Sequence, residues 1–549
     1  MFRIVTSLII AGFAAFASVE APVEADAMLA QLSKIRLDKK QIYSVRDITL
    51  DRDVLSISLN RGVMAFTEAI DGKVTGAIFL GSGDILAIPP NSAERQQLFR
   101  YTKSALLNEH FETAIFRFTD ETFDEILKQY RAHAEEPVDA DAVNSLLRWE
   151  SELQRRAVFL NDRILADLLG GSGRPFFLAQ TEAARLGWFD SIYDERRNEE
   201  VFIEQTRTVS DEPLVWASFN KRSEARNPAA FAHEDKSLVD VLSVSGDGTS
   251  VRLKVKADGE RVLSLPSSSA RIAEVGLDGG PSMLFLQSAG HLAVVLPEAS
   301  RHGTEITLRI TYAAEDTAPR VRFNPQANGV VPASYRDEWI IEGISNYVVA
   351  ASDAQWLSHA RSELLELSPE GGTYESLGPL SIGFRMTQPR TTPGYADVLR
   401  NKSAWVMHML KNVMQPNPGV TAFGDLMEEI ATQYRGKSIS TYDFKTLAEK
   451  HAGKPLDWFF DDWVFGTGIP AYTITYKIDP GQGGFVVSGS IVQSGVPATF
   501  EMPVPVYADD ALLGTVNVSV DAGEFRFVTR GRPQQIRLDP KGTILTRTP

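Results

Sequence analysis

Apolar and polar residues alternate over the stretch from about 40 to 90. Leu55, Ile57 and Leu59 are separated by Ser56 and Ser58, the two-residue period of a strand with one buried face. Asp71-Gly72 and Gly81-Ser82-Gly83-Asp84 read as turns between such strands, and Pro89-Pro90 closes the block. The second cluster contains a Gly-x-Gly but lacks the third glycine and following amphipathic helix of a phosphate loop, so a hairpin turn is expected there. Over 92–170 the spacing becomes helical, with Leu146, Leu147, Leu153, Ala157, Leu160 and Ile164 as its apolar positions and Gly170-Gly171-Ser172-Gly173 as its stop. Strand character returns over 174–312 and ends in Ile306, Leu308 and Ile310, alternating along one predicted buried face. Residues 313–335 are charged, proline-bearing and poor in apolar residues, as a linker is. The period is helical from 336 to about 470, and a last β block follows over 471–549, with Val516, Val518 and Val520 alternating. The pattern predicts an α+β multidomain chain. It has a β-rich N-terminal region over 22–312 with a helical insert at about 92–170, a helical domain, and a sandwich-like C-terminal β domain. There is no internal repeat and no low-complexity tract.

Composition narrows the function classes. The chain has 549 residues, 43% of them apolar and 23% charged, ordinary globular usage that excludes disordered and collagen-like classes. Acidic residues outnumber basic ones by 71 to 56, for a net charge of −15. With no run of Lys and Arg to offset it, such a surface repels a phosphate backbone, so no nucleic-acid partner is expected. Cysteine is absent, which removes thiol nucleophiles, Cys-ligated zinc, iron–sulfur clusters and disulfides.

The first 21 residues, MFRIVTSLIIAGFAAFASVEA, have the form of an export signal. Arg3 supplies a positive start, Ile4 to Ala17 are almost unbroken apolar residues, and Ala15-Phe16-Ala17 is a small-x-small cleavage pattern. The run is short for a bilayer span, and no later segment approaches 18 consecutive apolar residues. An exported chain, periplasmic or extracellular and without a transmembrane segment after signal removal, is expected.

Trp339-Ile340-Ile341-Glu342-Gly343-Ile344-Ser345-Asn346-Tyr347 resembles the W-x-x-E-G-x-x-x-Y helix of the M1 zinc aminopeptidases, the gluzincins of membrane alanyl aminopeptidase type. Asn401-Lys402-Ser403-Ala404-Trp405-Val406-Met407-His408-Met409-Leu410 resembles that family's Y-x-K-G-x-x-x-L-x-x-L helix, and Ser440-Thr441-Tyr442-Asp443-Phe444 its S/T-x-x-D-F helix start. Leu456 to Val464, with Gly466-Thr467-Gly468-Ile469-Pro470, resembles the segment that closes the family's helical region before a β domain. Residues 22–312 look like the β-rich N-terminal region of a secreted bacterial branch. The residues suit these elements. Thr441 can cap a helix with Asp443 in its first turn. Phe444, Leu447 and Ala448 share a face and Gly453 ends it. Trp458, Phe459, Phe460 and Trp463 are expected in the core.

The resemblance implies a zinc site, and here the chain departs from the family. Its H-E-x-x-H sets two imidazoles one helical turn apart, with a Glu to activate the metal-bound water and a later Glu as third ligand. Glu342 falls on that third ligand. The family's spacing then places the first histidine at Pro319, the water-activating Glu at Arg320 and the second histidine at Phe323, while the transition-state tyrosine falls on Arg400. The G-x-M-E-N segment that grips a substrate amino terminus has no counterpart. No two of the eight histidines are four residues apart, and His233, followed by Glu234, meets Ser237 where a ligand is needed.

A lone carboxylate does not hold zinc, so Glu342, a vestigial metal ligand, is expected solvated or paired with a base such as Arg336. His408, among Met407, Met409 and Leu410, is expected in or at the edge of the core. Glu428-Glu429 and Asp461-Asp462 are adjacent residues pointing in different directions, and so do not form a glycosidase pair. No serine elbow or Walker loop occurs. No catalytic residue and no cofactor is therefore expected. The reading is an exported, non-catalytic relative of the M1 aminopeptidases that binds a peptide or protein partner. Two alternatives stand beside it: a zinc aminopeptidase with unconventional ligands such as His359, His408 and Glu342, and an internally deleted form of such an enzyme.

Overall fold

The computed structural model describes residues 21–547 except 91, 132–136, 158–159, 171–172, 198, 207–213, 221–235, 247–248, 268–269, 289–290, 314–329, 334, 353–354, 368–371, 387–394, 416–418, 436 and 520–521. The export-signal pattern, His233 and the positions Pro319, Arg320 and Phe323 lie outside the described residues. The protein is α+β, with a β-rich N-terminal region and several separate sheets.

A helix, α1 (Ala21–Ser33), leads into an antiparallel meander whose strands pair in chain order. These are β1 (Leu37–Arg52), β2 (Leu55–Thr67), β3 (Gly76–Ala87), β4 (Leu107–Phe118), β5 (Phe176–Ala183), β6 (Gly187–Asp194), β7 (Val201–Gln205) and β8 (Val215–Phe219). Both faces of this sheet are covered, which is why its strands carry apolar residues on successive positions as well as alternate ones. One face presents Phe66, Phe79, Phe116 and Phe177, closed by α2 (Ser92–Thr102) and α3 (Thr122–Tyr130) through Leu98 and Ile126. The opposite face presents Ala65, Ile78, Ile115 and Leu178. It is closed by α1 and by α4 (Ala140–Arg148), α5 (Glu150–Ala157) and α6 (Asn161–Leu168), whose Leu146, Leu153 and Ile164 are fully buried.

Asp71-Gly72 forms the expected turn. Both residues have positive φ, 49° and 74°, and Ile70 and Lys73 exchange backbone hydrogen bonds of 2.9 and 3.0 Å across it, the geometry of a type I′ hairpin. Gly81-Ser82-Gly83 is not a turn but the middle of β3. Gly81 pairs with Gly62 of β2 beside a register shift, and β3 shifts register against β4 over the same residues; a Cβ on Gly81 would collide with the Arg61 carbonyl oxygen and the Gly62 Cα. The glycines let two long strands cross at a bulge, a role that requires the missing side chains as firmly as a turn requires positive φ. The helical insert is also interrupted. β4 lies inside it, because Leu107, Phe111 and Ala114 fit a helical spacing while Asn108, His110 and Glu112 point out in strand alternation.

Residues 239–312 build a smaller two-sheet unit. β9 (Val239–Ser245), β10 (Ser250–Val255), β15 (Glu305–Tyr312) and β12 (Ile272–Leu277) form one sheet, and β11 (Val262–Pro266), β14 (His291–Val295) and β13 (Phe285–Ser288) the other. On β15, Leu308 and Ile310 are buried while Ile306 is half-buried. Arg196, just past β6, ties this unit to the large sheet by pairing with Glu260 and Asp167, each at 2.9 Å.

A two-residue parallel pairing of β16 (Val331–Pro332) with β17 (Ser438–Ile439) leads into the helices α7 (Glu338–Ser352), α8 (Trp356–Leu365), α9 (Tyr395–Met414), α10 (Ala422–Gln433), α11 (Thr441–Ala452) and α12 (Asp457–Trp463). The cap of α11 is Ser440 and not Thr441. Its hydroxyl accepts from the Asp443 N–H (3.1 Å), and the Asp443 carboxylate accepts from the Ser440 N–H (2.9 Å), a reciprocal capping box. Thr441 is thereby free for the core, where its hydroxyl meets Asp337 at 2.7 Å and the Trp339 indole N–H at 3.0 Å. Gly453, at φ 65°, ends α11 as expected. Phe459, Phe460 and Trp463 are fully buried and Trp458 packs against them.

The C-terminal strands form two three-stranded sheets. β18 (Ala471–Gly481), β19 (Gly484–Ser494) and β22 (Gly523–Thr529) make one, and β21 (Ala511–Val518), β20 (Met502–Ala508) and β23 (Ile536–Leu538) the other. Val487, Val504, Val516 and Val518 join Trp463 and Met409 in one continuous core, so these sheets and the helices are packed as a single body.

Candidate functional site

The segment carrying Glu342 is held by its neighbours in α7. Trp339 and Ile340 are fully buried, and Gly343 allows α9 to come close. A Cβ there would stand 3.0 Å from the Ser403 carbonyl oxygen and the Met407 Cε. Glu342 is left at the edge of the contact, its side chain 29% exposed. Its Oε2 accepts from the Asn346 amide at 3.2 Å and lies 3.9 Å from Arg400 Nε. Arg400 also pairs with Asp397 at 3.1 Å.

Glu342 is therefore paired, but its cation is Arg400 on α9. The expected partner Arg336 precedes α7, and its side chain runs to the N-terminal sheet instead. There it meets Glu199 and Glu94, the latter at 3.3 Å, and the Ser218 carbonyl oxygen. Sequence distance placed Arg336 and Glu342 on one element. The tertiary fold gives Arg336 a bridging role between two regions.

His359 and His408 are not brought to Glu342. His359, on α8, is 76% exposed and pairs with Glu363 at 3.0 Å, and Glu363 accepts from Asn401 at 2.6 Å. His408 is in the core edge as expected. Its ring stands 5.5 Å from Trp405 and 6.1 Å from Tyr347, and burial holds its pKa below the ordinary value. The neutral ring's Nε2 is 3.0 Å from the Gly542 carbonyl oxygen, a contact it satisfies only as an N–H donor. Among the described residues, no three His, Asp or Glu side chains gather in a way that could hold a metal ion. Glu342, His359 and His408 do not come together as a zinc donor set.

The same helix holds a feature that motif reading missed. Lys402 is fully buried, as is Glu375, and they pair at 2.7 Å. Lys402 also donates to the Gly466 carbonyl oxygen (3.0 Å), and Glu375 accepts from the Gly468 N–H (2.9 Å). The pair thus ties α9 to the Gly466-Thr467-Gly468 turn before the C-terminal sheets. Lys402 was visible within its motif block. Nothing in sequence marks Glu375, on a single 3-10 turn (Tyr374–Leu377) 27 residues away.

The two acidic pairs separate as expected. Glu429 is engaged by Lys450 (2.7 Å) and His451 (2.5 Å), which lower its pKa. Asp462 turns to the Glu501 N–H, at 2.9 Å. Burial pushes the Asp462 carboxyl up to about 6. The Glu501 N–H opposes this, while the charges of Asp461 and Glu501 add to it. A folded-state pKa above the unfolded value of 3.8 means that the folded protein takes up the proton first. This contribution to stability is gained as pH falls through 6 and lost as it rises. Asp462→Asn should therefore stabilise the protein at pH 7 by about 1 kcal/mol, a figure discounted because Asp462 is only partly buried. The gain should vanish near pH 4, which chemical denaturation at the two pH values will measure.

No helix among the described residues is long and apolar enough to cross a membrane. No family model matches the sequence, and no curated protein matches it. Solved structures do align with it at low similarity. Legionella pneumophila aminopeptidase A in complex with aspartic acid aligns at 10% identity and a TM-score of 0.38, over 54% of this chain and 57% of that one. An M1 zinc metallopeptidase mutant from Deinococcus radiodurans aligns at 12% identity and a TM-score of 0.29, over 40% of this chain and 90% of that one. The same mutant bound to a Tyr-Ser-Ala substrate aligns at 13% identity and a TM-score of 0.27, with the same shares. The chain thus spans little more than half of the Legionella enzyme's length.

Proposed function

We propose that this chain is an exported, non-catalytic relative of the M1 aminopeptidases that binds a peptide or a protein partner. The observation that carries the reading is the Arg400 guanidinium 3.9 Å from Glu342. Arg400 stands where the resemblance calls for a transition-state tyrosine, and Glu342 where it calls for the third zinc ligand. A permanent cation there faces the carboxylate and repels a divalent one. Pro319 and Phe323 add no ligand at the two histidine positions, and Arg320 replaces the proton acceptor. The retained motif helices then serve as a scaffold, buried through Trp339, Phe444 and Trp463. A net charge of −15 favours basic peptides modestly, screened over ~8 Å at physiological salt. The pattern of residues 1–21 supports export.

The test is zinc content and aminoacyl-amide hydrolysis on the purified mature chain. Substoichiometric zinc and no chelator-sensitive turnover are expected, and Arg400→Tyr alone should restore neither. Stoichiometric zinc with chelator-sensitive release of an arginyl or leucyl amide would instead establish an active enzyme with unconventional ligands.

A further inference from the structure

Among the described residues, each buried apolar cluster lies within residues 25–312 or within residues 330–545. The N-terminal region therefore shares no apolar core with the body formed by the helices and the C-terminal sheets. Arg336 crosses that division. Its backbone is fixed on the helical side. Ala333, three residues before it, donates its N–H to the Ile439 carbonyl oxygen at 3.0 Å. Asp337, next to it, accepts from the Thr441 N–H and from the Thr441 hydroxyl, each at 2.7 Å. The guanidinium lies on the other side of the division, among groups from three elements of the large-sheet region. These are Glu94 of α2, Glu199 of the β6–β7 connection and Ser218 of β8.

Ser218 is fully buried and organises the other two. Its N–H donates to Glu94 Oε2 at 3.0 Å, its hydroxyl donates to Glu199 Oε2, and its carbonyl oxygen accepts from Arg336 Nη2 at 3.3 Å. Each carboxylate thus has one oxygen bound to Ser218 and the other turned to Arg336, with Glu94 Oε1 at 3.3 Å and Glu199 Oε1 closer. The carboxylate side chains are 2% and 6% exposed, that of Arg336 30%. Carboxylates withdrawn from water require a cation. A planar, permanently charged fork of N–H donors reaches two of them and a carbonyl oxygen at once, which a point-like ammonium does less well. We propose that Glu94, Glu199 and Ser218 form a socket for one guanidinium group, with Arg336 as its tethered occupant and the latch that holds the two bodies together. Withdrawing Arg336 frees the socket for another ligand of the guanidinium class and releases the bodies, which lack the shared apolar interface that would keep them docked.

The chain has no cysteine, so Glu112→Cys on β4 and Glu524→Cys on β22, both exposed positions, place one spin label on each body. With Arg336 in place the labels should give one narrow distance distribution, and with Arg336→Ala a broad one. The pair Glu94→Gln and Glu199→Gln, made on the socket side, should broaden it as well, a readout that stands even if Arg336→Ala fails to fold. Methylguanidinium should raise the unfolding midpoint of Arg336→Ala above that in equal methylammonium. Each tenfold rise above its dissociation constant should raise the folding constant tenfold. The unaltered chain, its socket filled, should show no such difference. Distances as narrow in Arg336→Ala or in the paired variant as in the unaltered chain would overturn the latch. Equal effects of methylguanidinium and methylammonium on Arg336→Ala would overturn the socket.

Discussion

Lys402→Met should cost about 3–5 kcal/mol, because it leaves Glu375 as an uncompensated charge in the interior. Both side chains are withdrawn from water, and the pair is closed by the Gly466 carbonyl oxygen on one side and the Gly468 N–H on the other. The loss reports the stranded carboxylate more than the worth of the pair. Adding Glu375→Gln should therefore recover more than half of it, since the amide oxygen still accepts from Gly468 and no charge remains. Guanidinium unfolding of the single and double variants supplies the comparison. A single-variant loss below about 1 kcal/mol would place the pair in the class of exposed ion pairs and contradict its enclosure.

Trp339→Ala should be of similar size, about 3–5 kcal/mol. The indole is fully buried, its ring 5.4 Å from Phe444 and 6.3 Å from Phe460, and its N–H donates to the Thr441 hydroxyl. Removing it opens a cavity where α7, α11 and α12 meet. Trp339→Phe keeps most of the volume and loses the hydrogen bond, so about 1–2 kcal/mol is expected. Equal losses in the two variants would show that the bond and not the packing dominates. Thermal unfolding followed by near-ultraviolet circular dichroism reads both.

Much of the local structure was legible because it depends on neighbours in sequence. The Asp71-Gly72 turn needs positive φ at two adjacent residues, and the end of α11 at Gly453 needs one residue in the left-handed region. Such demands are visible wherever Gly or Asp stands at the right place. The aromatic run from Trp458 to Trp463 has no reason to exist except burial. Gly81-Ser82-Gly83 misled for a related reason. Glycine there answers the approach of Gly62 from another strand, and no local pattern distinguishes that need from a turn. β4 was obscured because its alternation stops at Glu112, and over 113–118, where both faces are covered, the unbroken buried run fits a helix as well as a strand.

The partners of charged side chains were the least legible. Arg336 and Glu342 are six residues apart in sequence, yet each found its counter-ion on a different element. Glu375 and Arg117 gave no signal. One stands on a single short 3-10 turn, and the other reads as an ordinary polar position of a strand.

By itself the sequence determined the secondary-structure character of most of the chain, the absence of thiol chemistry, and the substitution of Pro319, Arg320, Phe323 and Arg400 at the positions where the resemblance calls for zinc chemistry. These follow from residue identity and short-range periodicity. Only the tertiary structure decided that Arg400 faces Glu342, that Lys402 and Glu375 are sealed together, and that Arg117 is enclosed with two of its nitrogens unmatched. Charge pairing and desolvation act through space, between groups that many residues of chain separate, and no one-dimensional pattern carries that distance.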